Sequence, residues 1–239
     1  MLQYLSFEVR SVTASFRNPE FQNFHKSFSL PPPTTLIGLA GAAMGFDPLK
    51  AQCFFEDNEV FAGVSGKSAG KANDLWKYND FKNGSVILRE LLFNNKLQIT
   101  FASENEVIIG ELLAAFQSPA YALTLGPSDS LAKIDHHFLI GTAEYTQGIP
   151  QGDSLVEGDV TVEAFEAATR NSKEFSFQIN TQDAITVNLP TRFSYESAYG
   201  VRRVREKRIF SFVHNTSHLS KVARSGIQIG DQFFHLFKL

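Results

Sequence analysis

The sequence predicts an α+β fold, and three observations carry that expectation. Leu5, Phe7 and Val9 alternate with Ser6, Glu8 and Arg10, the period of a half-buried strand. Two apolar segments further on keep helical spacing between strand-like stretches. From about residue 142 onward, short alternating segments dominate.

After the opening strand, "SFSLPPPTTLIGLAGAAMGF" (residues 27–46) places Pro31, Pro32 and Pro33 before an apolar run. Each proline fixes its own φ and pushes the preceding residue toward extended geometry, so a helix is expected only after them. Thr34 or Thr35 is placed to cap its free N–H groups; Leu36, Ile37, Leu39, Ala40, Ala43 and Met44 continue it, and Gly45 stops it. Gly38, Gly41, Ala42 and Gly45 suit close packing against a neighbouring backbone. The same N-terminus at Thr34 and Thr35 can alternatively receive an anion such as a phosphate. The run is too short to cross a bilayer.

"EVFAGVSG" puts Val60, Ala62 and Val64 on one side of a second strand. "SVILRELLF" and "KLQITFA" read as a third strand, or as a hairpin turning at Asn94 and Asn95. "SENEVIIGELLAAFQSP" carries a capping box, Ser103 and Glu106, ahead of Ile108, Ile109, Leu112, Leu113 and Phe116 at helical spacing. Pro119 ends that helix, and "AYALTL" supplies a fourth strand. The order β-α-β-β-α-β is that of a ferredoxin-like, RRM-like domain, expected over residues 1–135. "DVTVEAF", "EFSFQI", "AITVNL", "RIFSFV" and "IQIGDQFFHLF" predict a small β-rich portion over 136–239, with the acidic "PQGDSLVEGD" as a surface turn. Between the second and third strands lies "GKSAGKANDLWKYNDFKNG", residues 66–84, too long for a simple turn. Loops of that length inside compact domains are usually functional or disordered.

With 239 residues, 43% of them hydrophobic, the chain can bury a real core. Its one cysteine, Cys53, excludes an internal disulfide and a multi-thiolate zinc site, and points to a reducing compartment. "MLQYLSFEVR" lacks the charged segment and apolar block of a signal peptide, so a cytoplasmic protein without a membrane partner is expected. The net charge of −3 hides an asymmetry. Residues 135–186 hold nine acids against two bases, and residues 187–239 hold nine bases against three acids. A local basic surface can therefore bind nucleic acid while an acidic one faces elsewhere.

"GKS" at 66–68 resembles the end of a phosphate-binding P-loop, but position 61 is Phe61 where that motif needs glycine. "HNTSH" sets His214 and His218 four apart, as for two metal ligands on a helix, yet its middle is a poor helix former and a third ligand is missing. No metal and no cofactor are expected. "VRRVREKRIF" (201–210), if extended, puts Arg203, Arg205 and Lys207 on one face about 7 Å apart. That spacing suits successive phosphates of an extended nucleic acid, or else a charged edge strand that discourages aggregation.

Three segments in this order, "SFSLPPPTTLIGLAGAAMG", "ILRELL" at 87–92 and "PAYALTLGPSD" at 119–129, resemble the fifth CRISPR-associated protein family, RAMP-superfamily subunits of type I Cascade complexes. The resemblance covers roughly residues 1–130 and is greatest to type I-B members. It implies a ferredoxin-like domain with a projecting β-hairpin "thumb" between strands two and three, where residues 66–84 fall, and a small C-terminal β domain. It also implies a role: holding the 5′ handle of the crRNA beside the large subunit and the backbone subunits, with target DNA met only through the complex. Many relatives carry tyrosine in place of Leu91 and arginine in place of Pro127, so no role is carried over for those two.

The leading functional reading is thus a non-catalytic RNA-binding assembly subunit. Lys67, Lys71 and Lys77 are expected to meet phosphates and Trp76 or Tyr78 a base; Arg203, Arg205, Lys207, Thr34, Thr35, Lys26 and Arg89 complete the expected RNA contacts. A Trp exposed on a lysine-rich loop is costly unless covered, by a base or instead by the core or a neighbouring subunit. The alternative is a metal-independent endoribonuclease that processes precursor crRNA, as the type I-C branch does, drawing on His25, Lys26 and Tyr78. A third reading is a purely protein-binding module.

Overall fold

A computed structural model of the chain describes residues 1–21, 23–79, 84–171, 184–198, 200–214 and 223–239. Leu5, Phe7 and Val9 are fully buried on one side of β1 (Leu2–Ala14), as their alternation requires. β2 (Phe16–Arg17) pairs with β4 (Ser27–Phe28), and β3 (Phe24–His25) lies between them in the chain.

Helix α1 (Pro33–Met44) begins on the third proline, not after it. Proline suits the first helical position because its φ is already helical and no N–H is needed there. Pro32 occupies the N-cap and offers no side-chain acceptor, so neither Thr34 nor Thr35 caps the helix. Gly45 stops it in the left-handed conformation, φ 73°. Gly41 earns its place by close approach: a Cβ there would lie 2.5 Å from the Cβ of Ala51 on α2 (Pro48–Asp57). Helix α2 was not expected, although Asp47-Pro48 signals it: the Asp47 carboxylate accepts the Lys50 N–H at 2.8 Å.

β5 (Val60–Lys67) and β6 (Gly70–Asn79) pair in succession with one 20-residue strand, β7 (Gly84–Ser103). The third strand is therefore continuous, and no hairpin turns at Asn94 and Asn95. Asn94 has φ 49°, and there the alternation changes phase: Leu97, Ile99 and Phe101 on one side of it, and Leu92 on the other, enter the same core. A single left-handed residue rotates the strand so that its other side faces inward.

Helix α3 (Glu106–Gln117) is capped by Asn105, whose side chain accepts the Val107 N–H at 3.0 Å. Ser103 accepts instead from Asn105 N–H and donates to the Glu59 carbonyl, so the expected capping box does not form. "AYALTL" is a loop with a single bridge, Thr124 to Leu131, and buries Leu123 and Leu125. The strands that pair with the outer edge of β1 are β8 (Ala132–Ile134) and β9 (Leu139–Ala143). The strands thus lie in the order β8 and β9, β1, β7, β5, every pair antiparallel, and α1 and α3 pack together with α3 against β1 and β7.

β10 (Thr146–Gly148) leads to β11 (Ser154–Glu157), which is a buried strand carrying Leu155 and Val156 and not an acidic surface turn. "DVTVEAF" forms helix α4 (Val160–Asn171), not a strand. Asp159 accepts the Thr161 and Val162 N–H groups, and Val160 and Ala164, one turn apart, pack with Val156 and Val213. "EFSFQI" lies outside the described residues. β12 (Ala184–Tyr195), β13 (Arg202–Val213) and β11 extend the sheet outward from β5, and β16 (Phe237–Lys238) pairs with β5 as well. The expected N- and C-terminal portions share one core, since Leu155, Phe210, Phe212 and Phe237 join Phe7, Phe55 and Phe101. β14 (Arg224–Ile229) and β15 (Gln232–His235) form a hairpin whose Ile227 and Ile229, with Leu236, cover Leu2, Tyr4, Phe61 and Ala102. Among the described residues no helix is long and apolar enough to cross a membrane.

Candidate nucleic-acid interface

Residues 66–84 fall on the end of β5 and on β6, and β6 pairs with β7 from Gly70↔Phe93 out to Asn79↔Gly84. The register sets Asp74 opposite Arg89 and Trp76 opposite Ile87. On the far edge of β7, β3 runs parallel and brings His25 beside Arg89. Register alone assembles this cluster from residues far apart in the chain.

Arg89 is buried, 6% exposed, and donates to Asp74 at 2.8 Å and Asp129 at 2.9 Å. Burial opposes its charge, but the hydrogen bonds it donates to Asp129 and Asp74 outweigh it and hold the guanidinium pKa above its ordinary value. Its guanidinium carbon stands 5.5 Å from the Trp76 ring centroid, within cation–π range. The His25 ring centroid is 5.8 Å from that of Trp76. His25 is 7% exposed; burial first, then the charges of Arg17 and Arg89, push its pKa down. Trp76, thus supported, keeps 39% of its surface open. Leu75 and Leu88, directly opposed, and Val86 are exposed on the other side of the hairpin.

The expected contacts distribute unevenly around this platform. Lys67, Lys71 and Lys77 are exposed, with the Lys71 ammonium 3.6 Å from the Glu90 carboxylate. Tyr78 pairs with Ser85 through its backbone, while its side chain lies outside what the structure describes. Arg89, also among the expected RNA contacts, is buried with its charge held between two carboxylates. The endoribonuclease set does not converge at His25 and Lys26, because His25 is buried beside Trp76 while the Lys26 ammonium lies over Phe21, 5.2 Å from the ring centroid.

Thr34 and Thr35 lie in the first turn of α1, where Thr35 N–H donates to the Pro32 carbonyl at 2.9 Å. Thr34 lines a cavity of about 290 Å³ between α1, α2 and β12, together with Gly38, Tyr121, Phe193, Tyr195 and Arg202. On β13, Arg203 pairs with Glu196 and Arg205 with Glu56, so two of the three basic residues already hold a carboxylate. Lys207 is exposed on the same strand. His214 lies 3.3 Å from Asp153, and His218 falls outside the described residues.

Asp74, Asp129 and His25 as the supports of Trp76 were missed. The alternation of "ANDLWKY" and "SVILRELL" carried the signal, since pairing those segments sets Asp74 against Arg89.

Solved structures match at low identity. A chain titled "CRISPR RNA-guided surveillance complex" is 14% identical over 87% of this chain and 90% of its own, with a TM-score of 0.47. A CRISPR protein from Archaeoglobus fulgidus is 13% identical over 100% of both chains, TM-score 0.46. A solved Cas protein is 14% identical over 94% of both, TM-score 0.40. No curated protein sequence matches the chain. The model of one family, however, spans residues 4–205, and on that match the chain belongs to the family CRISPR-associated protein (Cas_Cas5).

Proposed function

We propose that the chain is a non-catalytic RNA-binding subunit of a type I Cascade, of subtype I-B, that holds the 5′ handle of the crRNA in the cytoplasm. Family membership supplies the context. The antiparallel order β8 and β9, β1, β7, β5, with helices before β5 and before β8, supports a ferredoxin-like core. The β6–β7 hairpin, whose outer part has no further strand neighbour among the described residues, is then the thumb.

The observation that carries the reading is the platform: one half-open Trp, backed by His25 and by an Arg fixed between two carboxylates, on a hairpin that also presents Lys71 and Lys77. A rigid aromatic face, on a hairpin whose opposite side carries Lys71 and Lys77, suits single-stranded RNA, where stacking is worth about 1–3 kcal/mol per base. The other side of the hairpin, where Leu75, Val86 and Leu88 lie with Lys71 and Lys77, suits a neighbouring backbone or large subunit. Cleavage chemistry needs a base and an acid on one 2′-hydroxyl, and the burial of His25 with Lys26 held over Phe21 favours the non-catalytic reading.

Co-expression with the subunits of its complex, followed by sequencing of co-purified RNA, tests the reading. RNA that starts with a repeat-derived 5′ segment is expected. A stoichiometric complex assembled without RNA contradicts it.

A further inference from the structure

Four cations stand side by side across four strands. Lys133 on β8 is directly opposite Arg10 on β1, Arg10 is opposite Lys96 on β7, and Lys96 is opposite Lys67 on β5. All four are exposed. Opposed residues of antiparallel strands share a face, and strands lie about 4.8 Å apart, so the row spans about 14 Å across the sheet. In sequence these residues are separated by dozens of positions, which is why no charge run announces them.

Like charges directly opposed on a sheet destabilise it. Here the compensation is partial. Glu8 on β1 pairs with Arg10 and lies 3.0 Å from Lys96. Asp135 also feels Arg10 but is bonded to His137 at 2.9 Å. Arg10, Lys96 and Lys133 line an open groove of about 450 Å³ with Asn94, Val12 and Leu131. Val12 is 72% and Leu131 63% exposed, so apolar surface flanks the cations.

The C-terminal strands cover the end of β1 that carries Leu2 and Tyr4 and leave this part of the sheet open. The change of phase at Asn94 turns the Arg89 and Trp76 side of the hairpin toward the face that carries Lys96. A β-strand docking on the sheet edge would run along the strands and meet one of these cations at most. An extended polyanion crossing the strands meets all four.

We propose that this row is a phosphate track: a single-stranded RNA segment crosses the sheet over Lys133, Arg10, Lys96 and Lys67 and continues to Trp76. The assignment rests on the RNA-binding reading above and adds the path. The apolar Val12 and Leu131 meet sugar or base edges beside it.

The test is a salt titration of a fluorescent single-stranded RNA of the repeat's 5′-handle sequence against the full chain, comparing wild type with Arg10→Gln/Lys96→Gln/Lys133→Gln. Because Arg10 and Lys96 share Glu8, the three substitutions remove about two net contacts and are expected to lower the salt slope by about 1.4, or about 25-fold in affinity at 0.1 M salt, at about 0.7 per contact on single strands. Relief of like-charge opposition is offset by loss of both Glu8 pairs, so affinities are compared at a temperature where both proteins are fully folded. Lys50→Gln, an exposed cation on α2 away from the row, should leave the slope unchanged. Wild type that fails to bind contradicts the RNA-binding reading itself. Wild type that binds with a slope the triple variant shares contradicts the track alone, and so does loss of a partner subunit from the purified complex at unchanged slope, which would make the row a protein contact.

Discussion

Asp74 and Arg89 face each other across the β6–β7 hairpin, carboxylate to guanidinium at 2.8 Å, and Asp129 from outside the hairpin grips the same guanidinium at 2.9 Å. Arg89 thereby ties the hairpin to the loop after α3 and fixes the surface on which Trp76 rests.

Arg89→Ala should therefore cost about 1–3 kcal/mol. Removing one member of a buried ion pair costs about 3–5 kcal/mol, and the figure is discounted because both aspartates are about half exposed. At roughly 2–4 °C per kcal/mol for a chain of this size, thermal melting should shift down by several degrees. A melting curve superimposable on that of wild type would show that the pin contributes nothing.

A second prediction concerns His235, whose Nδ1–H donates to the Ser225 carbonyl at 2.9 Å while its Nε2 accepts the Glu157 N–H at 3.2 Å. Burial, aided by the Arg224 charge and opposed by the Ser225 bond, pushes its pKa down to about 4. The folded chain thus favours the neutral ring. This stabilisation is fully present above the unfolded pKa of about 6.5 and is lost as pH falls toward 4, up to about 3 kcal/mol. Urea unfolding at pH 7 and pH 4.5 should show the loss, and His235→Gln should flatten it. An equal pH dependence in both proteins would remove His235 as its source.

No nuclease activity is expected. Purified protein incubated with repeat-containing precursor RNA and a chelator should leave the RNA intact. Site-specific cuts that disappear in His25→Ala would overturn the non-catalytic assignment.

For β13, the carboxylates on Arg203 and Arg205 change what the basic run promises. Replacing Arg203, Arg205 and Lys207 together should lower the salt slope of RNA binding by no more than about 0.7, the share of Lys207. A fall near 2 would mean that RNA displaces Glu196 and Glu56.

What the sequence made legible was local. The alternation of Leu5, Phe7 and Val9, the end of α1 at Gly45, the spacing of Ile108 to Phe116 and the extended basic run all rest on neighbours in the chain. The misreadings arose where distant contacts win. Asn94 and Asn95 look like a turn, but pairing of β7 with β1, β5 and β6 keeps the strand continuous and converts them into a change of phase. Val160, Val162 and Ala164 alternate like a strand, yet Asp159 caps a helix there. The candidate site was half visible: the lysines and Trp76 belong to the segment that drew attention, whereas Arg89 with Asp129, 40 residues away, and the four opposed cations exist only in the folded register.

The most direct test of the central claim uses the fact that Trp76 is the chain's one tryptophan, so intrinsic fluorescence reports on the platform alone. Titrating the protein with 5′-handle RNA while following both Trp emission and RNA anisotropy should give coincident, saturable quenching and binding curves, with Trp76→Ala, at a temperature where it is fully folded, binding more weakly by about 1–3 kcal/mol. Saturable binding by anisotropy with no change in Trp emission, and no weakening in Trp76→Ala, would contradict the claim that the hairpin holds the RNA.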